Sequence, residues 1–165
     1  MVGNGWKWLE MVKALRDKLV GAWELVSYVE RDSLDGPVRY PHGADAQGLI
    51  IYTPDGYMSA QIQSSGRPDY DRPVAGGGTT EQAAAAALGY LAYSGRYFVD
   101  EATGDIRHEA KLSLVPNYLG QFHLRHSDLD GDKLTLSSEL TLPDGRTVYS
   151  SLVWKRAERA GSQVA

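Results

Sequence analysis

Apolar and polar side chains alternate through most of residues 19–156, the period-two pattern of strands with one buried face. Residues 19–30 place Trp23, Leu25, Ser27 and Val29 on one face and Glu24, Val26, Tyr28 and Glu30 on the other. Residues 47–53 and 56–63 read as two strands joined by Thr53-Pro54-Asp55-Gly56. Pro at the second turn position and Gly at the fourth suit a type I hairpin. Residues 93–99, 105–115, 120–127, 133–142 and 147–156 complete the series, with short connections that imply antiparallel neighbours. Two stretches break the pattern. In residues 6–18, Trp8, Met11, Val12 and Leu15 recur at helical spacing. Residues 64–78 are loop, followed by Thr79-Thr80-Glu81-Gln82 and five alanines, a capped helix expected to run from residue 80 to 91.

These elements predict an all-β fold: a single antiparallel up-and-down β-barrel of about eight strands. Eight strands close around an interior wide enough for packed side chains or one small ligand. The expected organisation is an amphipathic helix over 1–18, the barrel over 19–157 with a lid insertion at 64–92, and a disordered tail at 158–165. Gly21-Ala22-Trp23 opens the first strand and Trp154-Lys155-Arg156 closes the last. An indole at that point plugs one barrel end, and Lys155 or Arg156 can lie across its ring.

Composition narrows the function. A formal charge of -4 argues against a nucleic-acid partner. There are no cysteines, so no disulfide, thiolate metal site or cysteine nucleophile is available, and the cytoplasm is the expected setting. Charges at Lys7, Glu10, Lys13 and Arg16 interrupt any signal-like apolar run, and no stretch is long enough to span a membrane. Ten Tyr and four Trp against two Phe favour amphipathic aromatics, which suit a cavity wall facing a mixed polar and apolar ligand.

Asp128, Asp130, Asp132 and Glu139 match positions of a calcium loop, but Lys133 stands where that loop needs glycine. A polar hairpin turn explains them. The four histidines lack zinc-ligand spacing. His108 shares a face with Ile106, Ala110, Leu112 and Leu114, which points it into the barrel as a core residue, a ligand contact or a general acid–base. Gln121, His123 and Arg125 share one face of a later strand. An outward arginine is solvated; an inward one would anchor an anion. Tyr57, Ser59, Gln61 and Gln63 also share a face, and whether that face is the interior is open at this point.

Several motifs together resemble the bacterial and fungal lipocalin-like domain proteins. They are Gly21-Ala22-Trp23-Glu24-Leu25-Val26-Ser27, residues 48–60, Tyr93-Ser94-Gly95-Arg96-Tyr97, residues 108–120, and Leu152-Val153-Trp154-Lys155-Arg156. The resemblance implies a lipocalin-like barrel. Some relatives are linked to secondary metabolism, where such barrels can cyclise or isomerise an intermediate. It carries no agreed catalytic residues, so alternation supplies the candidate ligand contacts: Trp23, Tyr57, Gln61, Tyr93, Tyr97, His108, Asn117, Gln121 and Arg125.

The expected function is binding of a small, mostly apolar molecule in the cavity. The alternative is a cofactor-free isomerase or cyclase acting on a polyketide- or terpenoid-like intermediate, with His108 moving a proton. A third reading is a partner-binding domain with a filled interior. No metal or cofactor is implied. The expected partner is a small hydrophobic or amphipathic ligand rather than nucleic acid or membrane, with a homodimer left open.

Overall fold

A computed structural model describes residues 14–159. Eight antiparallel strands follow one another around a closed barrel: β1 Gly21–Arg31, β2 Gln47–Tyr52, β3 Tyr57–Gln63, β4 Tyr90–Val99, β5 Asp105–Ser113, β6 Phe122–Asp130, β7 Lys133–Thr141 and β8 Thr147–Arg156. Helix α1 is Leu15–Leu19 and α2 is Thr80–Leu88. Most of the helix expected at 6–18 lies outside the described residues, as does the end of the tail.

α1 and the turns after β2, β4 and β6 mark one end of the barrel, called the lower end below. Glu101, in the turn after β4, accepts hydrogen bonds from the backbone N–H groups of Leu15 and Arg16, at 2.7 and 3.0 Å. A carboxylate satisfies orphan donors there and suits the positive end of the helix dipole. Leu19 is fully buried. Gly21, at φ 125°, turns the chain from α1 into β1, a conformation that favours glycine.

Trp23 is also fully buried, and its indole N–H donates to Leu19 O at 2.9 Å. The Arg156 guanidinium stacks over the indole, 4.1 Å from the ring centroid. It also donates to the carbonyls of Lys18 and Val20, and its Nε to Asp132. One cation thus joins β8, β1, the β6–β7 turn and the segment leading from α1. Of the two expected basic residues, Arg156 takes the ring; Lys155 pairs with Glu24 on the outer face.

The Thr53–Gly56 turn forms as read, with Gly56 N–H donating to Thr53 O at 3.1 Å. Residues 130–133, the heart of the calcium-like sequence, form the tight turn between β6 and β7. α2 carries the capping box between Thr79 and Gln82. It ends at Leu88, three residues before expectation, because Gly89 caps it and Tyr90 pairs with Gln63 to begin β4. Ser64 N–H donates to Gly89 O at 2.9 Å, so the long 64–89 insertion is pinned at its neck.

Two register shifts overturn the expected strand phase. Between Leu25 and Ser27 the pairing of β1 with β8 slips by one residue. Trp23 and Leu25 point inward below the slip, and Tyr28 and Glu30 reach the interior above it, while Val26 is 54% exposed. In β5 the pairing with β4 jumps from Ala110 to Leu112, leaving Lys111 as the extra residue. Ile106, His108 and Ala110 remain inside, but Leu112 is 72% exposed. A bulge inserts one residue, and one residue reverses the faces. Opposite it, Gly95 leaves room for the β5 backbone: a Cβ there would sit 1.7 Å from Glu109 O.

Trp23→Ala removes the largest side chain of the lower end and the surface on which Arg156 lies. It is expected to destabilise the barrel by about 3–5 kcal/mol in a denaturant titration. A loss below about 1 kcal/mol would show that the lower end does not depend on the indole.

Candidate functional site

The lower half of the barrel is filled by side chains; the upper half encloses a cavity of about 680 Å³. Its walls include the aliphatic side chains of Ile50, Ala60, Ile62, Leu91, Leu136 and Leu152. Trp154 forms part of the wall, and Tyr28, Tyr93, Tyr118, His123 and Arg125 bring polar groups to it.

The barrel wall is incomplete at its upper end. β6 pairs with β7 only from His126 to Asp130. Above that, residues 122–125 bond only to β5, and residues 138–141 only to β8. Both unpaired stretches line the cavity, so it opens sideways between them. Phe122, Leu124 and Leu140 give this seam an exposed apolar rim. The corresponding seam between β1 and β2 is covered: Arg39 pairs through its backbone with Glu30, and His42 packs near Tyr28. The insertion 64–89 packs against β4, and none of its described residues lines the cavity.

Beneath the cavity lies a polar column. His108 is fully buried, with Nε2 2.9 Å from the Tyr52 hydroxyl and Nδ1 2.9 Å from the Tyr93 hydroxyl. Burial pushes the imidazole pKa well below its usual 6.5, and the nearby Arg125 cation and His123 act in the same direction. The ring is therefore neutral at pH 7, with one donor and one acceptor nitrogen. Tyr52 is buried, its pKa raised well above the usual range by desolvation, and His108 is the partner its hydroxyl finds among the described residues. A buried O–H left without an acceptor is costly, so Tyr52 donates to Nε2. Nδ1 then carries the proton and donates to the Tyr93 oxygen. This leaves the Tyr93 O–H free to donate elsewhere, and Tyr93 lines the cavity.

His123 and Tyr118 stack near Tyr93, with ring centroids 5.7 and 6.1 Å away. Burial lowers the pKa of His123, with Arg125 adding to the effect, and raises that of Tyr118. His123 Nε2 and Trp154 Nε1 are buried without a hydrogen-bond partner. Arg125 donates to Leu124 O and forms no salt bridge among the described residues. Glu30 lines the cavity from β1, held by the Tyr28 hydroxyl at 2.9 Å and by Arg39 at 3.7 Å. Among the described residues no cluster of three or more histidines or carboxylates could hold a metal ion.

The residues singled out by alternation fall in different places. Tyr93 and Arg125 line the cavity, and His108 sits beneath it behind Tyr93. Trp23 and Tyr97 are buried in the lower half, Tyr97 donating to Thr53 O at 2.9 Å. Tyr57 and Gln61 are on the outer face, since Met58, Ala60 and Ile62 fill the interior of β3. Asn117 and Gln121 are exposed on the β5–β6 connection. Cavity residues not singled out include Tyr28, Glu30, Tyr118, His123 and Trp154. His123 shares its face with Arg125, a signal present in the sequence. Tyr28 and Glu30 were hidden by the bulge.

The family model of the lipocalin-like domain matches residues 20–157, nearly the whole of the described chain. This chain belongs to the lipocalin-like family. A lipocalin-like barrel with an interior cavity is a holder of small ligands, and a curated relative fits that description. The 4′-hydroxy-3′-methoxypropiophenone carrier protein ppsC of Aspergillus oryzae is 35% identical over 109 residues, which span 62% of this chain and 98% of that protein. Among the described residues no helix is long and apolar enough to cross a membrane.

His108 makes stability depend on pH with a definite sign. The unfolded histidine takes up a proton near 6.5 and the folded one resists it. Its contribution is complete above that value and is lost as pH falls through 6.5. His108→Gln is expected to flatten the fall in unfolding free energy between pH 7 and 5 by up to ~1.4 kcal/mol per pH unit. Parallel pH profiles for the two proteins would contradict a buried neutral imidazole.

Proposed function

We propose that this lipocalin-like protein binds and carries a small, mostly apolar aromatic molecule bearing hydrogen-bonding oxygens, of the hydroxyaryl ketone type. One observation carries the reading: a cavity of about 680 Å³ that sets aliphatic side chains such as Ile50, Ile62, Leu136 and Leu152 beside polar ones that include Tyr93, His123 and Arg125. That volume lies within the usual range for drug-sized ligands, and a few placed polar groups among apolar walls give orientation. The relative's carried compound, an aryl ketone with a phenol and a methoxy group, suits such a lining. Apolar rims at the β6–β7 seam support entry from the side. The cytoplasm is the setting assigned in this reading, on the absence of cysteine.

The test is a calorimetric titration with 4′-hydroxy-3′-methoxypropiophenone, followed by recovery of the compound. One-to-one saturable binding is expected, with the compound recovered unchanged. Leu152→Trp, which pushes an indole into the cavity, should weaken binding at least about tenfold while leaving the circular dichroism spectrum intact. Binding unaffected by that change would place the ligand elsewhere. Recovery of a cyclised or isomerised product would replace carriage with catalysis.

A further inference from the structure

At the polar end of the cavity, around Tyr93 and Arg125, several donors lack a protein acceptor among the described residues, and Arg125 lacks an ion pair. Arg125 uses one donor on Leu124 O, leaving most of its guanidinium donors without an acceptor among the described residues. The Tyr93 O–H is released toward the cavity by the Tyr52–His108 column. Trp154 adds a buried indole N–H with no acceptor. His123 Nε2 is also buried without a partner among the described residues, and Arg125 is the cation in this group.

Most of the other charges around the cavity are paired within the protein; Glu139 is a lining carboxylate with no ion pair among the described residues. From β1, Glu30 accepts from Tyr28 and Ser150 and faces Arg39. Arg39 is also held by Asp32 at 2.7 Å. From the β7–β8 hairpin, Arg146 pairs with Asp144 at 2.8 Å, and Glu139 on β7 is exposed. From β1, β2, β4, β5 and β6, Arg125 is faced by Tyr28, Tyr52, Tyr93, His108 and His123, with Tyr118 from the connection before β6. None of these residues carries a carboxylate. Arg125 is the lining cation for which the described residues provide no counter-ion.

We infer that the cavity takes its ligand as an oxyanion, a phenolate acidified by a conjugated acyl group, seated on Arg125 with the Tyr93 hydroxyl donating to the same oxygen. This rests on the aryl-ketone reading and goes beyond it by naming the charge state. The phenol gives its proton to solvent on binding, so each neutral ligand taken up releases one proton. An opposite charge in a partly desolvated site favours the ionised form, commonly by one to a few pKa units. Affinity consequently rises with pH up to the free phenol's pKa and levels off above it.

The test follows the phenolate absorbance of 4′-hydroxy-3′-methoxypropiophenone across a pH series, free and with excess protein. Binding of its 4′-O-methyl ether is measured in parallel. The bound phenol is expected to ionise at least about one pH unit below the free one, and the ether to bind about tenfold more weakly at a pH where the free phenol is ionised. Arg125→Gln should abolish the displacement and Arg125→Lys retain part of it; the wild-type titration decides the matter even if a variant does not fold. A bound phenol that ionises at or above the free value, with both compounds binding one-to-one, overturns the oxyanion inference and leaves the carrier reading in place. Failure of both compounds to bind overturns the aryl-ketone reading and this inference with it.

Discussion

The side chain of Arg156 closes one end of the barrel. Its guanidinium stacks on Trp23, donates to the carbonyls of Lys18 in the last turn of α1 and of Val20 just after it, and bonds Asp132 in the β6–β7 turn. A planar cation with donors along its edge can stack and bond at once, which a lysine cannot reproduce. The lysine beside it has a different task, pairing with Glu24 outside. With the first and last strands locked together and the indole beneath them, the lower half is solid. The hollow is thereby confined to the upper half, and ligand access to that end.

The boundary between the filled and hollow halves is where the chemistry lies. Tyr52, His108 and Tyr93 form a column that begins in the sealed core and ends at the cavity wall. Burial keeps the imidazole neutral, and satisfaction of Tyr52 sets its tautomer. The core thereby determines which way Tyr93 presents its proton. His108 acts on a ligand through Tyr93 rather than by touch, which is why a fully buried residue belongs in the account of the site. Above the column the wall gives way between β6 and β7, where the two strands diverge and apolar side chains rim the gap.

Much of this was legible in the chain. Alternation located the strands, the Thr79–Gln82 capping box located α2, and Gly21-Ala22-Trp23 with Arg156 located the closed end. What alternation could not report was phase after a bulge. Leu112 belongs to the face of His108 by counting, yet Lys111 is the extra residue and Leu112 stands in solvent. Tyr28 and Glu30 count as outward from Trp23, yet the slip after Leu25 brings them to the cavity. Period two has no memory of an inserted residue, and the energy that tolerates a bulge comes from neighbouring strands. The direction of Arg125 was undecidable for another reason. An inward arginine and an outward one leave the same local pattern, and only barrel closure says which face is the interior.

In the proposed reading the ligand occupies the upper cavity against Trp154, Tyr93 and Arg125. The most direct measurement is a nitrogen–proton correlation spectrum of the indole groups, assigned by single Trp→Phe variants, recorded with and without 4′-hydroxy-3′-methoxypropiophenone. The Trp154 indole, buried without a partner in the cavity wall, is expected to shift on saturation, while that of Trp23, bonded to Leu19 O in the closed end, stays in place. A saturating ligand that leaves Trp154 unmoved and perturbs the outer face around Gln61 and Tyr90 would contradict the account.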